Sequence, residues 1–215
     1  MKFITSEILK GHIDCPYQTY LRLNNERGEK NEFQKLIYKK EKEYRKFCID
    51  HLCRKKYTQL NSSDEQDVKK ISSSKKYGLY CNVYFRSDLF RINFDAIIFD
   101  KKDNLLIPII FSEKESITIN DKLLIAVYSV ILNNDKHPIH PKGKFIYGHD
   151  CKSLSVRTEG LAAKAEKIIE EISLIRDGQF TPELFLTKKC DLCEFVKKNA
   201  KLMQKKAMLY VLSRE

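Results

Sequence analysis

The chain has 215 residues, 42% hydrophobic and 32% charged, which is enough apolar matter for one core and too much for a disordered chain. Seven Gly and five Pro exclude collagen-like and Pro-rich architectures, and no apolar run reaches the roughly eighteen residues that a membrane span needs. The formal charge of +11 points to a polyanionic partner such as nucleic acid, although 31 of the 40 basic residues are Lys, a bias that an AT-rich genome produces without any binding role.

The N-terminal stretch MKFITSEILKGHIDCPY lacks an apolar h-region, so a cytoplasmic chain without a secretory signal is expected. In that compartment seven cysteines stay reduced, and paired cysteines read first as metal or cluster ligands. Thr5 or Ser6 at capping-box spacing opens a helix over 5–24, with Ile8, Leu9 and Ile13 on its apolar side. Phe33, Leu36, Ile37, Tyr44, Phe47, Cys48 and Leu52 recur at helical spacing and predict a long helix over 33–56. Its other faces are rich in Lys and Arg, the pattern of a solvated surface. Residues 62–76 are Ser-, Asp- and Lys-rich without periodicity and read as a loop.

Strands follow over 80–86 and 89–99. In the second, Phe90, Ile92, Phe94 and Ala96 alternate with Arg91, Asn93 and Asp95, which assigns the two sets to opposite faces. Asp103-Asn104 makes a turn into 105–111, a strand apolar on both faces. A buried helix over 121–133, strands over 142–148 and 153–157, and an amphipathic helix over 161–177 stopped by Gly178 complete the pattern. Three meandering strands, then a helix crossing to a parallel strand, predict an α/β fold with one central mixed sheet flanked by helices. The expected organisation is a single domain over 1–215. It has an N-terminal helical part (1–60), a sheet core (77–157) and a C-terminal helical part carrying a Cys pair (158–215).

Cys190-Asp191-Leu192-Cys193 is the sharpest local motif, because two thiolates separated by two residues can grip one metal or one cluster iron. One such pair is half a tetrahedral set. The rival reading is two incidental cysteines, and a redox pair lacks the thioredoxin-like strand ahead of it.

Cys15 in Asp14-Cys15-Pro16-Tyr17, the sheet that follows, and Cys190 to Phe195 near the other end together resemble the RecB-like nucleases of the PD-(D/E)XK superfamily. That family includes CRISPR-associated exonucleases and the nuclease domains joined to helicases. The resemblance extends over the Glu43-centred helix, Asn93-Phe94-Asp95, Ile107 to Phe111, Asp121 to Ala126, Lys142 to Gly148, and the segment from Leu186. It implies a restriction-endonuclease-like sheet, and chain ends brought together by four cysteines around a [4Fe–4S] cluster. Cys15, Cys190 and Cys193 fill three of those places and Asn199 stands at the fourth, with Cys48, Cys53, Cys151 or water as substitutes. His12, one helical turn before Cys15, offers a Cys₃His zinc set as an alternative, against an ordinary exposed histidine.

For catalysis the resemblance implies one Asp at a strand end, then an acid and a Lys two residues apart on the next strand. Two carboxylates hold Mg²⁺ or Mn²⁺ while the Lys orients the attacking water. Asp95 fits the first role. Ile110 and Ser112 stand where the acid and the Lys belong, so Glu113 becomes the migrated acid and second metal ligand, and Lys114 the water-orienting group. The implied activity is metal-dependent hydrolysis of DNA, from an end or on a single strand. The alternative is a degenerate nuclease fold that binds DNA or docks a helicase or other DNA-processing partner. A zinc-stabilised adaptor unrelated to nucleases is the third class. The stretch 188–206, with seven Lys against two acids, is the expected entry for a DNA backbone.

Overall fold

The computed structural model describes residues 2–55, 66–74, 76–185, 190 and 193–201. Strand β1 (Ile4–Thr5) leads straight into helix α1 (Ser6–Asp14), where the Thr5 hydroxyl accepts the Ile8 N–H at 3.3 Å and caps the first turn. The one helix expected over 5–24 is in fact two. Cys15, between α1 and α2 (Pro16–Leu23), is extended at φ −162° and ψ 103°. Pro16 is the cause: its ring disfavours helical geometry in the residue before it, and then suits the first position of the next helix.

Helix α3 (Glu32–Lys55) falls where 33–56 was expected. Its apolar residues do not form one core stripe, however. Tyr44, Cys48, Ile49 and Leu52 pack on the sheet, whereas Phe33, Leu36 and Phe47 are about half exposed. The stretch read as a loop holds two elements, β2 (Gln66–Asp67) and α4 (Val68–Ser74), with Val68 and Ile71 buried. Two apolar residues three apart among Ser and Lys are too few to display a period. Residues 56–65 and 75 lie outside the described ones.

β3 (Gly78–Arg86), β4 (Phe90–Phe99) and β5 (Leu106–Ser112) form the expected antiparallel meander. α5 (Ile119–Asn134) then crosses to β6 (Lys142–Tyr147), which runs parallel to β5, and β7 (Lys152–Arg157) returns antiparallel. A capping box between Thr118 and Asp121 starts α5 two residues ahead of the expected 121. α6 (Ala162–Arg176) closes the series, and Gly178 follows it at φ +74°.

Among the described residues the strands make one seven-stranded mixed sheet in the order β2-β3-β4-β5-β6-β7, with β1 added to β4. The fold is α/β, with helices on both faces. On one face α1, α5 and α6 bury Leu9, Ile131 and Ile172 against Phe85, Ile92, Phe94 and Leu106. On the other, Cys48 and Leu52 of α3 meet Leu79, Ala96, Ile98 and Ile109. Ala96 therefore belongs with α3 and not with Ile92 and Phe94, as simple alternation predicted. The facing strand changes sides at the same level: Val83 and Phe85 join the first layer, Cys81 and Leu79 the second. Between them Asn82 sits at φ +52°, a left-handed conformation that Asn tolerates better than most residues. That twist in the pair interrupts the period of two. No helix among the described residues is long and apolar enough to cross a membrane.

Gly143 on β6 lets α5 lie close to the sheet, since a Cβ placed there would sit 2.5 Å from Ile125 Cδ1. We expect Gly143→Ala to lower unfolding free energy by about 1–3 kcal/mol, the usual range for overpacking, in urea titrations. Pairing it with Ile125→Val should restore part of the loss.

Candidate functional site

The centre of the site is a break in a hydrogen-bond ladder. β3 pairs with one edge of β4 from Arg91 to Phe94 and again from Ala96 to Phe99, the register passing over Asn82 and Asp95. The other edge is divided: β1 takes Phe90 and Arg91, and β5 takes Ala96 to Phe99. Ile92, Asn93, Phe94 and Asp95 fall between the two, and at the last three side chains stand in for the missing strand. The Asn93 N–H donates to Ser6 Oγ at 2.9 Å, and Ser6 Oγ donates to the Asn93 carbonyl at 3.2 Å. Arg45 Nη2, reaching from α3, donates to the carbonyls of Phe94 and Asp95 at 2.9 and 3.2 Å. The Asp95 carboxylate accepts the Phe111 N–H at 2.9 Å.

Asp95 is thus held on both oxygens, since Arg45 Nη1 lies 3.3 Å from Oδ1 while Oδ2 takes the Phe111 amide. Burial pushes its carboxyl above the ordinary value, and Arg45 and the Phe111 amide oppose that without reversing it. Lys10 and Glu41, paired with each other at 3.2 Å, are the further charges that act on it. Tyr128 of α5 stacks edge-on to Phe94, closing the site from the opposite layer.

Phe111 lies between Ile110 and Ser112, so Asp95 reaches β5 at the level where the resemblance asks for an acid and a Lys. Ile110 packs into the core instead. Glu113 is half-buried just past β5. Lys114 binds Asp121 at 2.7 Å at the start of α5. Burial raises the Asp121 carboxyl, but Lys114 and Thr118 outweigh it and hold it below the ordinary range. Glu115 accepts the His149 N–H of the β6–β7 turn. Asp95 and Lys114 are thus each engaged by a different partner. Sequence reasoning did not single out Arg45; the available signal was an Arg flanked by Tyr44 and Cys48 on the packed side of α3.

At the chain ends, Arg22 of α2 binds Glu194 at 2.7 Å, the Glu29 N–H donates to the Glu194 carbonyl, and Lys197 and Lys198 pair with Glu29 and Glu26. The N- and C-terminal helical segments are brought together, as expected. Burial raises the Cys193 thiol; the Phe195 backbone opposes that without reversing it, and the charges of Cys15 and Cys190 add to the rise. Cys48, Cys53 and Cys151 belong instead to the layer under α3, where Cys48 and Cys151 bring their Sγ atoms to 3.5 Å. His12 is buried, not exposed, and its Nε2 meets Glu171 of α6 at 3.1 Å.

Asn199 is buried, and its Oδ1 has no hydrogen-bond partner among the described residues. An amide oxygen is a hard, weak ligand for iron–sulfur chemistry, and the raised Cys193 thiol resists the deprotonation that ligation demands. Among the described residues no group of three or more His, Cys, Asp or Glu is arranged to hold a metal ion. The donors present fit neither a [4Fe–4S] cluster nor a two-carboxylate Mg²⁺ or Mn²⁺ centre. Residues 186–189, 191–192 and 202–215 lie outside the described ones, and with them much of the Lys-rich stretch.

No family model matches the chain, and no curated protein does. A solved structure, SSO0001, is similar to it with a TM-score of 0.45 and 14% identity, covering 90% of this chain and 84% of that one.

The environment of Asp95 carries a pH signature. A carboxyl raised on folding binds its proton more tightly in the folded chain, so its contribution to stability falls as pH rises from the ordinary 3.8 through the folded value. Asp95→Asn keeps an acceptor for the Phe111 amide and does not titrate. The unfolding free energy of wild type relative to Asp95→Asn should therefore decrease as pH rises across that window, in urea titrations at several pH values. A pH-independent difference would mean that the carboxyl is not desolvated.

Proposed function

We propose that this chain is a RecB-like nuclease fold that no longer hydrolyses phosphodiesters and acts as a non-specific DNA-binding module. In this reading the hydrolytic or unwinding chemistry belongs to a partner, such as a helicase. One observation carries it. Asp95 lies against Phe111, between Ile110 and Ser112, with its carboxylate shared between a backbone amide and the Arg45 guanidinium. Mg²⁺ at such a place takes oxygen ligands, and its water needs a positioning group. An apolar side chain, a hydroxyl and a fixed cation supply no second carboxylate and no Lys two residues from it, and the cation repels a metal ion.

Binding without base reading follows from the charge. Most of the +11 surplus is Lys, a point charge that meets phosphates without reading bases. None of the seven cysteines is paired in a disulfide, which suits a reducing compartment, and we place the module in the cytoplasm.

The test incubates end-labelled single-stranded and duplex DNA with Mg²⁺ or Mn²⁺ and wild type, Asp95→Ala, Glu113→Ala or Lys114→Ala. The expected outcome is no cleavage by any of them, with wild-type DNA binding that weakens steeply as salt rises. Metal-dependent cleavage lost in Asp95→Ala would restore the hydrolytic reading, with Asp95 and Glu113 on the metal and Lys114 on the water. Absence of DNA binding at low salt would remove the module reading too.

The chain-end site has its own test. Asn199→Cys completes a four-thiol set with Cys15, Cys190 and Cys193. Anaerobic reconstitution with iron and sulfide should give the variant a visible cluster absorbance and leave wild type nearly colourless. Equal, stoichiometric colour in both would mean that three cysteines suffice.

A further inference from the structure

One flank of α3 carries a row of aromatic rings with a cation at each end. Lys40, Tyr44, Phe47, His51 and Arg54 follow one another at steps of four and three residues, the spacing that keeps side chains on one side of a helix. The rings neighbour one another along it: Tyr44 and Phe47 have centroids 6.4 Å apart, and Phe47 and His51 6.3 Å. Phe47 is 48% exposed, and Lys40 and Arg54 are exposed too. Glu43 and Asp50, each one position before a ring of the row, lie further round the helix. Tyr44 gives the direction in which the row looks. Its hydroxyl donates to the Gly148 carbonyl at 2.9 Å, so this flank borders the turn between β6 and β7.

Beyond that turn the same side of the sheet is cationic. Ile146 packs under α3, and Lys142, four residues earlier on β6, shares its face. Lys142 is directly opposite Arg157 of β7, and both are exposed. Like charges so placed oppose strand pairing, and an anion lying across them relieves the repulsion. Neither strand contains an acid, and β7 is the last strand of the sheet among the described residues.

Rings for stacking beside cations for phosphate, on one side of a sheet, match a nucleic acid strand whose bases are unpaired. A duplex keeps its bases inside and offers such a surface its phosphates alone. A second copy of this chain laid along the row would bring Lys40 and Arg54 against like charges. We propose that the α3 flank from Lys40 to Arg54 and the outer strands β6 and β7 form an interface for single-stranded nucleic acid. Phe47 is the platform for a base, and Lys142 and Arg157 meet the backbone phosphates. The interface deepens the DNA-binding reading and rests on it, adding a preference for single strands.

The chain has no Trp, so Phe47→Trp places a single indole at the stacking position. A single-stranded oligonucleotide should quench its fluorescence on binding, with affinity near that of wild type. Phe47→Ala should weaken single-strand binding about tenfold at fixed salt, the order expected for one lost stacking contact, and leave duplex binding unchanged. Lys142→Gln/Arg157→Gln should lower the slope of log affinity against log salt by about 1.4, or about 0.7 for each phosphate contact. The control, Lys164→Gln/Lys167→Gln on exposed positions of α6 across the sheet, should leave the slope near wild type. Wild-type binding with an unquenched indole would overturn the interface and leave the DNA reading in place. So would equal losses of single-strand and duplex affinity in Phe47→Ala, or an unchanged slope in the Lys142/Arg157 pair. Equal slope changes in the control would replace the interface with diffuse charge. A wild-type dimer in sedimentation that Phe47→Ala dissociates would give the row to a second copy instead. No binding by wild type at low salt would overturn interface and reading together.

Discussion

The structure depends on how three residues of β4 satisfy their backbone. A buried amide or carbonyl left without a partner costs about 1–3 kcal/mol, so a central strand whose neighbour stops short needs substitutes. Between β1 and β5 Ser6 and Arg45 serve the backbone of β4, and the Asp95 side chain serves the Phe111 N–H of β5. Each comes from a different element: the start of α1, the packed side of α3, and β4 itself reaching across to β5. The same bonds that complete the ladder therefore set where α1 and α3 lie against the sheet. Tyr128 adds α5 to the arrangement through its edge-on contact with Phe94. The site is a joint in the fold before it is anything else.

That double duty explains why Asp95 was legible and Arg45 was not. An Asp alternating with Phe94 on a strand stands out in one dimension. An Arg in a helix already full of Lys does not, and its role appears only when α3 is laid over the gap. The same limit applies elsewhere. The meander, α5 and α6 declare themselves through periods of two and 3.6 sustained over many residues. β1 and β2, two residues each, are too short to show any period. The division of the first helix at Cys15 was readable from Pro16, but the capping signal at Thr5 and the apolar spacing beyond it masked the break. Ala96 changes layers because Asn82, on the facing strand, adopts a left-handed conformation that no alternation rule contains. A common site for Cys15, Cys190 and Cys193 was an expectation of the resemblance, and among the described residues they form no group arranged to hold a metal ion; the buried His12–Glu171 contact was not foreseen.

The two ends of the chain meet through charge as much as through sulfur. Arg22, with Glu194, makes a short and largely buried pair, and Gly28 leaves room for the Glu194 side chain, where an added Cβ would lie 2.4 Å from its Cγ. A buried, directional ion pair of this kind loses much when one partner is removed, because the other is left desolvated. The thiols therefore occupy a neighbourhood that α2 and the segment after Cys193 already hold together without a metal.

The Arg45–Asp95 contact constrains how this sequence can drift. Replacing Arg45 alone strands a desolvated carboxylate and frees two carbonyls; replacing Asp95 alone strands a guanidinium and frees the Phe111 amide. Neither single step is neutral, so the two positions should change together or not at all among descendants of this chain. Passing from this pairing to an open carboxylate would require one of those intermediates. Inheritance, in that sense, treats the two side chains as one character.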